Sequence, residues 1–269
     1  ARYACDAAWV YVLNRGAKQT LQSLGIAQNK MFLAHWGNWG IDRREFFPAG
    51  NPPNGWGNHL APPAARAKHP IVLFVGRLSS AKGVDTLLDA WLIVQRNLPA
   101  AELWFVGPTN LDRGNEDLLK KSSHLASVKM MGPKKQRELP ALFRQAWVSV
   151  LLSRTTSRWA EQVGMVNLQS LACGTPVVTS MSGSIPEYLG LKPRIQNSEF
   201  RIQETGHGAL LVPENDATLA SKAILTVLQD PQRRETMGRA GVAWIRATFD
   251  EAITVPALEA EIYERFKVL

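Results

Sequence analysis

Between residues 70 and 230, short continuous apolar runs alternate with stretches of helical periodicity, and few architectures accept that pattern. The runs are Ile71–Val75, Leu103–Val106, Val128–Met131, Val148–Leu152, Pro176–Ser180 and Ala209–Val212. Each is about as long as a strand buried on both faces. Between the first two, Val84, Leu87, Leu88, Trp91 and Leu98 recur at helical spacing, which predicts an amphipathic helix over Val84–Asn97. Leu139, Leu142, Phe143 and Ala146 repeat the pattern in a shorter helix, and so do Leu219, Ala223, Ile224 and Val227. Strands alternating with crossover helices predict an α/β fold, a doubly wound parallel sheet whose ligands sit at the carboxyl ends of the strands.

The flanks read differently. Trp9–Leu13 and Met31–Ala34 are short strand patterns around a helix over Ala17–Leu24 that stops at Gly25. Residues 1–48 are too few for a core of their own. Residues 49–69 are a linker loop rich in Pro, Gly and Asn, without periodicity. Pro231–Phe249 and Glu251–Phe266 read as two helices broken around Asp250, the second forming a C-terminal helix over 251–269.

Lys and Arg outnumber Asp and Glu by 31 to 23, a net charge of +8, which favours anionic partners. The basic residues fall in small groups such as Arg43-Arg44, Lys134-Lys135 and Arg233-Arg234. Neither a zinc-finger spacing nor an aromatic-basic RNA signature accompanies them, so nucleic acid is not an expected partner. Cys5 and Cys173 make neither a disulfide framework nor a metal set, consistent with a reducing, cytoplasmic location. No apolar run approaches the ~20 residues of a membrane-spanning helix. The chain has neither an initiator Met nor a signal-peptide layout at its start, and is expected to be a processed or partial sequence.

Two segments carry chemistry. Gly76-Arg77-Leu78-Ser79-Ser80-Ala81-Lys82-Gly83 joins the first strand of the main domain to its first helix. Its glycines let backbone approach a ligand, and Arg77 with Lys82 sets two cations where a diphosphate gains charge as it leaves. Taken alone, the same residues also describe an ordinary turn with two surface cations. The second segment, Glu161 to Gly174, reads as a carboxylate in a loop, a helix opening at Gly164 and a glycine stop. A helix start offers free N–H groups and positive dipole to an anion. Glu161, just before it, suits the hydroxyls of a neighbouring sugar.

These segments occur in order with Ala172-Cys173-Gly174-Thr175-Pro176-Val177-Val178 and Gly183-Ser184-Ile185-Pro186-Glu187. Together they resemble the C-terminal nucleotide-sugar-binding domain of family-4 retaining glycosyltransferases. The resemblance spans roughly residues 5 to 250. It implies the Rossmann-like C-terminal half of a GT-B fold, over residues 70–250, with residues 1–48 a remnant of the N-terminal acceptor domain and crossover. Arg154 to Trp159 resembles a subgroup of that family. Carried over by position, the resemblance gives Arg77 and Lys82 the donor diphosphate, with Gly76 at its loop. Glu161 takes the hydroxyls of the transferred sugar, and Gly164, Met165 and Val166 offer N–H groups to phosphate. Backbone near Met130–Pro133 would meet the base. By the same resemblance the leaving phosphate takes the acceptor's proton, so no side-chain base is required.

Two departures bear on activity. The position that normally holds a second Glu, accepting from both ribose hydroxyls, is Gln169. An amide has one accepting oxygen and a donating nitrogen, and the lost charge assistance costs on the order of 1–2 kcal/mol, about tenfold in affinity. Second, the family's acceptor-binding half is expected upstream or on another chain. The partners expected are therefore a nucleotide-sugar donor, an unidentified acceptor, another protein chain replacing that half, and peripheral contact with an acidic membrane surface. The alternative is a non-catalytic structural or assembly subunit derived from such an enzyme. A third possibility is a sugar-nucleotide epimerase of the same fold.

No Asp-x-Asp pair suits a sugar-nucleotide metal site, and Arg77 with Lys82 makes a metal unnecessary, so neither metal nor cofactor is expected. No G-x-G-x-x-G follows a strand, which argues against NAD. His35 and His207 read as structural loop residues. Trp36, Trp39 and Trp56 read as interdomain packing or a partner surface.

Overall fold

A computed structural model of the protein describes residues 7–34, 40–50, 66–108, 125–157, 159–191 and 201–267. His35, Trp36, Trp39 and Trp56 lie outside them. Each predicted run becomes a strand and one further strand, β8, joins them: β1 Val10–Val12, β2 Met31–Leu33, β3 Ile71–Val75, β4 Glu102–Val106, β5 Val128–Gly132, β6 Val148–Leu151, β7 Val177–Ser180, β8 Gln203–Glu204 and β9 Ala209–Val212. The helices are α1 Arg15–Ser23, α2 Val84–Asn97, α3 Leu139–Gln145, α4 Met165–Ala172, α5 Ile185–Tyr188, α6 Ala217–Gln229, α7 Pro231–Thr248 and α8 Glu251–Phe266.

Among the described residues the main sheet runs β5-β4-β3-β6-β7-β9-β8 and is parallel except for β8, which pairs antiparallel with β9. From β3 the chain winds outward to β5, then returns to β6 beside β3 and winds the other way. Right-handed crossovers running in opposite directions set α2 and α4 on opposite faces of the sheet. All five residues of β3 are buried, and Leu73, Phe74 and Leu87 have no exposed surface. The apolar runs are continuous because both faces are covered. β5, at the sheet edge, departs from that expectation: Met130 is 41% exposed. The pair Gln203–Glu204 has no apolar residue, which is why β8 leaves no trace in the hydrophobic pattern.

Trp91 anchors α2, fully buried with its indole N–H donating to Ser127 Oγ at 3.1 Å. Asp216, Asp230 and Asp250 each cap the helix that follows, accepting from Leu219, Arg233 and Ala252 N–H. Asp250 is thus the break between α7 and α8. Ile41 and Phe46 belong to the main core, and Ile41 bridges to Asp250, so the chain is already packed on the larger sheet by residue 41. β1 and β2 form a separate two-stranded parallel sheet around Val12, Ile26 and Met31. It is tied to the main domain at Tyr188, whose buried hydroxyl donates to Leu13 O at 2.7 Å. Tyr188 stacks with Phe249, Phe249 meets Trp244 edge-on, and Trp244 stacks on His207 with centroids 4.0 Å apart.

His207, expected as a loop residue with sugar or phosphate contact the alternative, is held in this stack. No helix among the described residues is long and apolar enough to cross a membrane.

The turn from β3 to α2 presses against the end of β6 at Gly83, whose φ is +68°. A Cβ there would lie 1.8 Å from Leu152 O. Gly83→Ala should therefore destabilise the fold by about 3 kcal/mol, lowering Tm by roughly 6–12 °C in a thermal melt. Burial holds the His207 pKa below its ordinary 6.5. The unfolded chain then takes up the proton first, so this contribution is complete above about pH 6.5 and is lost as pH falls. Between pH 7.5 and 5.5 the wild type should lose more stability than His207→Phe in paired denaturant titrations.

Candidate active site

The reversal of strand order between β3 and β6 leaves a crevice at the carboxyl ends of these strands. Both motif loops open into it. Lys82 closes a 3-10 turn over Ser80–Lys82 after β3. Glu161 lies in the loop between β6 and α4. Lys82 Nζ and Glu161 Oε2 are 2.6 Å apart, with side chains 17% and 11% exposed. Ser153, directly after the apolar run of β6, donates its hydroxyl to the same Oε2 at 2.9 Å. Glu161 Oε1 accepts from no described residue. One carboxylate oxygen is thus fixed by a cation and a hydroxyl, and the other has no partner among the described residues.

The Glu161 loop is held from three directions. Ser184 N–H and Oγ both donate to Glu161 O, at 3.0 and 3.1 Å. Gly183 has φ +55°, and a Cβ on it would sit 2.2 Å from Glu161 O, so the backbones can approach only because that residue is glycine. From the N-terminal unit, buried Asn14 donates to both Gln162 O and Gln162 Oε1 at 3.1 Å. The two motif loops also grip each other directly. Arg154 N–H donates to Ala81 O at 3.0 Å, and its guanidinium bonds Asp85 and Thr86.

Arg77 is exposed at the same edge and makes no bond with a described residue. Gly76 follows β3 directly and donates its N–H to Val106 O. Gly164 caps α4 with φ +71°. The N–H groups of Met165 and Val166 beyond it meet no described acceptor, as expected of a helix start. Gln169, one turn further on, is 5% exposed, and its amide makes no hydrogen bond with a described residue. Lys82 and Glu161 therefore touch, Arg77 and the α4 terminus share their edge, and Gln169 stands apart from the pair.

Three contributors escaped the sequence reading. Ser153 carries no signal beyond its place at a strand end. Trp159 was noted only within the Arg154–Trp159 run, and its ring lies 4.8 Å from Lys82 Nζ. Asn14 is 148 residues from its partner, beyond the reach of local pattern. No group of three His, Cys, Asp or Glu among the described residues is arranged to hold a metal ion.

Comparison with known proteins agrees with this architecture. The sequence is similar to a GDP-mannose-dependent monoacylated alpha-(1-6)-phosphatidylinositol monomannoside mannosyltransferase of Corynebacterium glutamicum, 28% identical over 180 residues, covering 66% of this chain and 43% of that protein. The structure is similar to sucrose-phosphate synthase from Thermosynechococcus elongatus, with TM-score 0.74 and 23% identity over 100% of this chain and 61% of that one. It is also similar to Anabaena Alr3699/HepE in complex with UDP-glucose, with TM-score 0.71 and 20% identity over 100% and 67% of the two chains. The chain spans about two-fifths of the length of the first curated relatives it matches. The fold is that of the C-terminal domains of GT-B glycosyltransferases. The family model described as glycosyl transferases group 1 matches residues 58–244, and the chain belongs to that family.

Proposed function

We propose that this chain is the donor-binding portion of a family-4 retaining glycosyltransferase, which takes a sugar from a nucleotide-diphosphate sugar without a metal ion. The observation that carries this reading is the Lys82–Glu161–Ser153 cluster, which leaves Glu161 Oε1 open beside a cation and a helix start. A donor meets the chemistry it needs in order along the crevice. Arg77 and Lys82 hold the diphosphate, joined by the N–H groups of Met165 and Val166 after Gly164. Glu161 accepts from hydroxyls of the transferred sugar. Gln169 meets the ribose.

In the transfer, the bond from the anomeric carbon to the phosphate oxygen breaks and a bond to the acceptor oxygen forms on the same face. The departing phosphate takes the acceptor's proton. Negative charge grows on the diphosphate as it leaves, and two cations in a partly dry crevice stabilise that charge more than the ground state. Lys82 also keeps Glu161 from facing the phosphates as an uncompensated anion. The UDP-glucose complex of a protein with this fold supports a nucleotide-sugar donor. The acceptor would be held by the opposite wall of the cleft, supplied elsewhere in the polypeptide or by another chain.

A second reading, a glycosyltransferase-derived assembly subunit, is favoured by Gln169. Its buried amide replaces the carboxylate that the family uses for ribose.

Calorimetric titration of the chain with UDP, GDP and ADP separates the two. On the donor-binding reading one nucleotide binds, and Arg77→Ala weakens it about tenfold or more, the worth of a charge-assisted bond. Binding to none of the three would leave the assembly reading. Gln169→Glu should tighten the preferred nucleotide about tenfold and leave its 2′,3′-dideoxy form unchanged. An equal change for both forms would remove Gln169 from the ribose site.

A further inference from the structure

At the amino ends of the strands, opposite the crevice, lies a second cavity of about 480 Å³. Arg66 precedes β3, Arg144 ends α3 ahead of β6, and Cys173 with Gly174 precedes β7. Arg239 and Arg246 reach the cavity from α7. Against these four guanidinium groups the described lining has one carboxylate, Glu235, which is already paired with Arg239 at 2.6 Å. Cys173 adds no charge, because burial pushes its thiol pKa up to about 12.

Arg144 is buried and Arg66 half-buried, and neither forms an ion pair with a described residue. Arg66 donates to Trp147 O and Gly174 O, and Arg144 donates to Phe47 O. Carbonyl oxygens satisfy hydrogen bonds but carry no net charge. Arg144 is only 9% exposed, and its buried Nε has no partner among the described residues. Burial lowers the pKa of both groups; the charge of nearby Arg234 lowers that of Arg66 further, and the charge of Glu235 partly offsets it. A buried guanidinium lacking an anion is an unfavourable arrangement in an isolated chain.

We propose that this cavity is an anion site distinct from the nucleotide crevice, and that it takes a phosphate monoester. Guanidinium forks match the oxygens of a phosphate in pairs, and Arg239 and Arg246 present theirs from exposed positions of the lining. The volume exceeds that of a bare phosphate and falls within the range of small-molecule sites. Pro48, Val242 and Ala243 give the ester's organic portion an apolar wall. The ester is either a free metabolite or the headgroup of an anionic lipid, since both present the same dianion.

The test uses the whole chain carrying Arg77→Ala, which removes an exposed cation of the nucleotide crevice without disturbing a described contact. Inorganic phosphate and glycerol 3-phosphate are titrated by calorimetry and followed by phosphorus NMR. One site per chain is expected, with a rise in Tm on saturation. Arg246→Gln and Arg239→Gln, both at exposed positions, should each weaken binding about tenfold. Arg144→Lys is the buried counterpart, its fold checked by the unliganded Tm. Flotation with phosphatidylcholine vesicles containing phosphatidic acid identifies the source. Vesicle binding lost in Arg246→Gln assigns a lipid headgroup, whereas binding of the free ester alone assigns a soluble metabolite. Binding of neither probe nor vesicle, or binding undiminished in Arg246→Gln and Arg239→Gln, overturns the proposal. Nucleotide binding is scored separately on the wild-type chain, so the two sites fail or stand independently.

Discussion

Lys82 and Glu161 are 79 residues apart in the chain and 2.6 Å apart in space, and the crevice depends on that contact. It exists because β3 and β6 are neighbours although two strands intervene between them in sequence. A winding sheet that turned only one way would have separated the two loops by the width of those strands. The reversal brings them together, and close backbone packing then removes the remaining freedom. Gly83 lies against Leu152 O, and Arg154 clasps Ala81, Asp85 and Thr86 from the other loop. A largely buried cation and carboxylate are tolerable only as a pair, since removing either leaves a charge in low dielectric. The pair therefore ties the two loops electrostatically as well as sterically.

The charge of the molecule is organised by the same sheet. Its carboxyl edge has Arg77, Lys82 and the start of α4 around one fixed carboxylate. Its amino edge collects Arg66, Arg144, Arg239 and Arg246 around a cavity with one paired carboxylate. The net charge of +8 is consistent with anionic partners, but it is silent on there being two separate concentrations of positive charge. The N-terminal unit, though small, is not loosely attached. Tyr188 reaches Leu13, and Asn14 reaches Gln162, so α1 is connected to the residue beside Glu161.

Much of this was legible beforehand, for identifiable reasons. Strands covered on both faces are rich in apolar residues, so β3, β6, β7 and β9 announce themselves as runs despite Ser149, Thr179 and Ser180. An amphipathic helix must repeat its apolar residues, and Val84–Asn97 and Glu251–Phe266 have the predicted bounds. β8 was invisible because a two-residue edge strand needs no apolar pattern. The buried position of Ile41 and Phe46 was also hidden, since their segment has no periodicity and is held by long-range packing. At the carboxyl edge, Arg77, Lys82, Glu161 and Gly164 stood out as cations, a carboxylate and a helix-start glycine in loops that follow strands, although an ordinary turn with surface cations has the same residues. Ser153, Trp159 and Asn14 did not, because serine, tryptophan and asparagine serve equally well in cores and caps.

The amino-acid sequence by itself determined the element types, the winding α/β class and the chemical inventory of the two loops, because these follow from hydrophobic periodicity and residue chemistry acting over a few neighbours. Only the tertiary structure decided which of those groups meet. The joining of Lys82 to one oxygen of Glu161, the lack of a described partner for the other, and the gathering of four arginines at the far edge are consequences of strand order. Strand order is set by packing between residues tens to hundreds of positions apart, and local pattern does not record it.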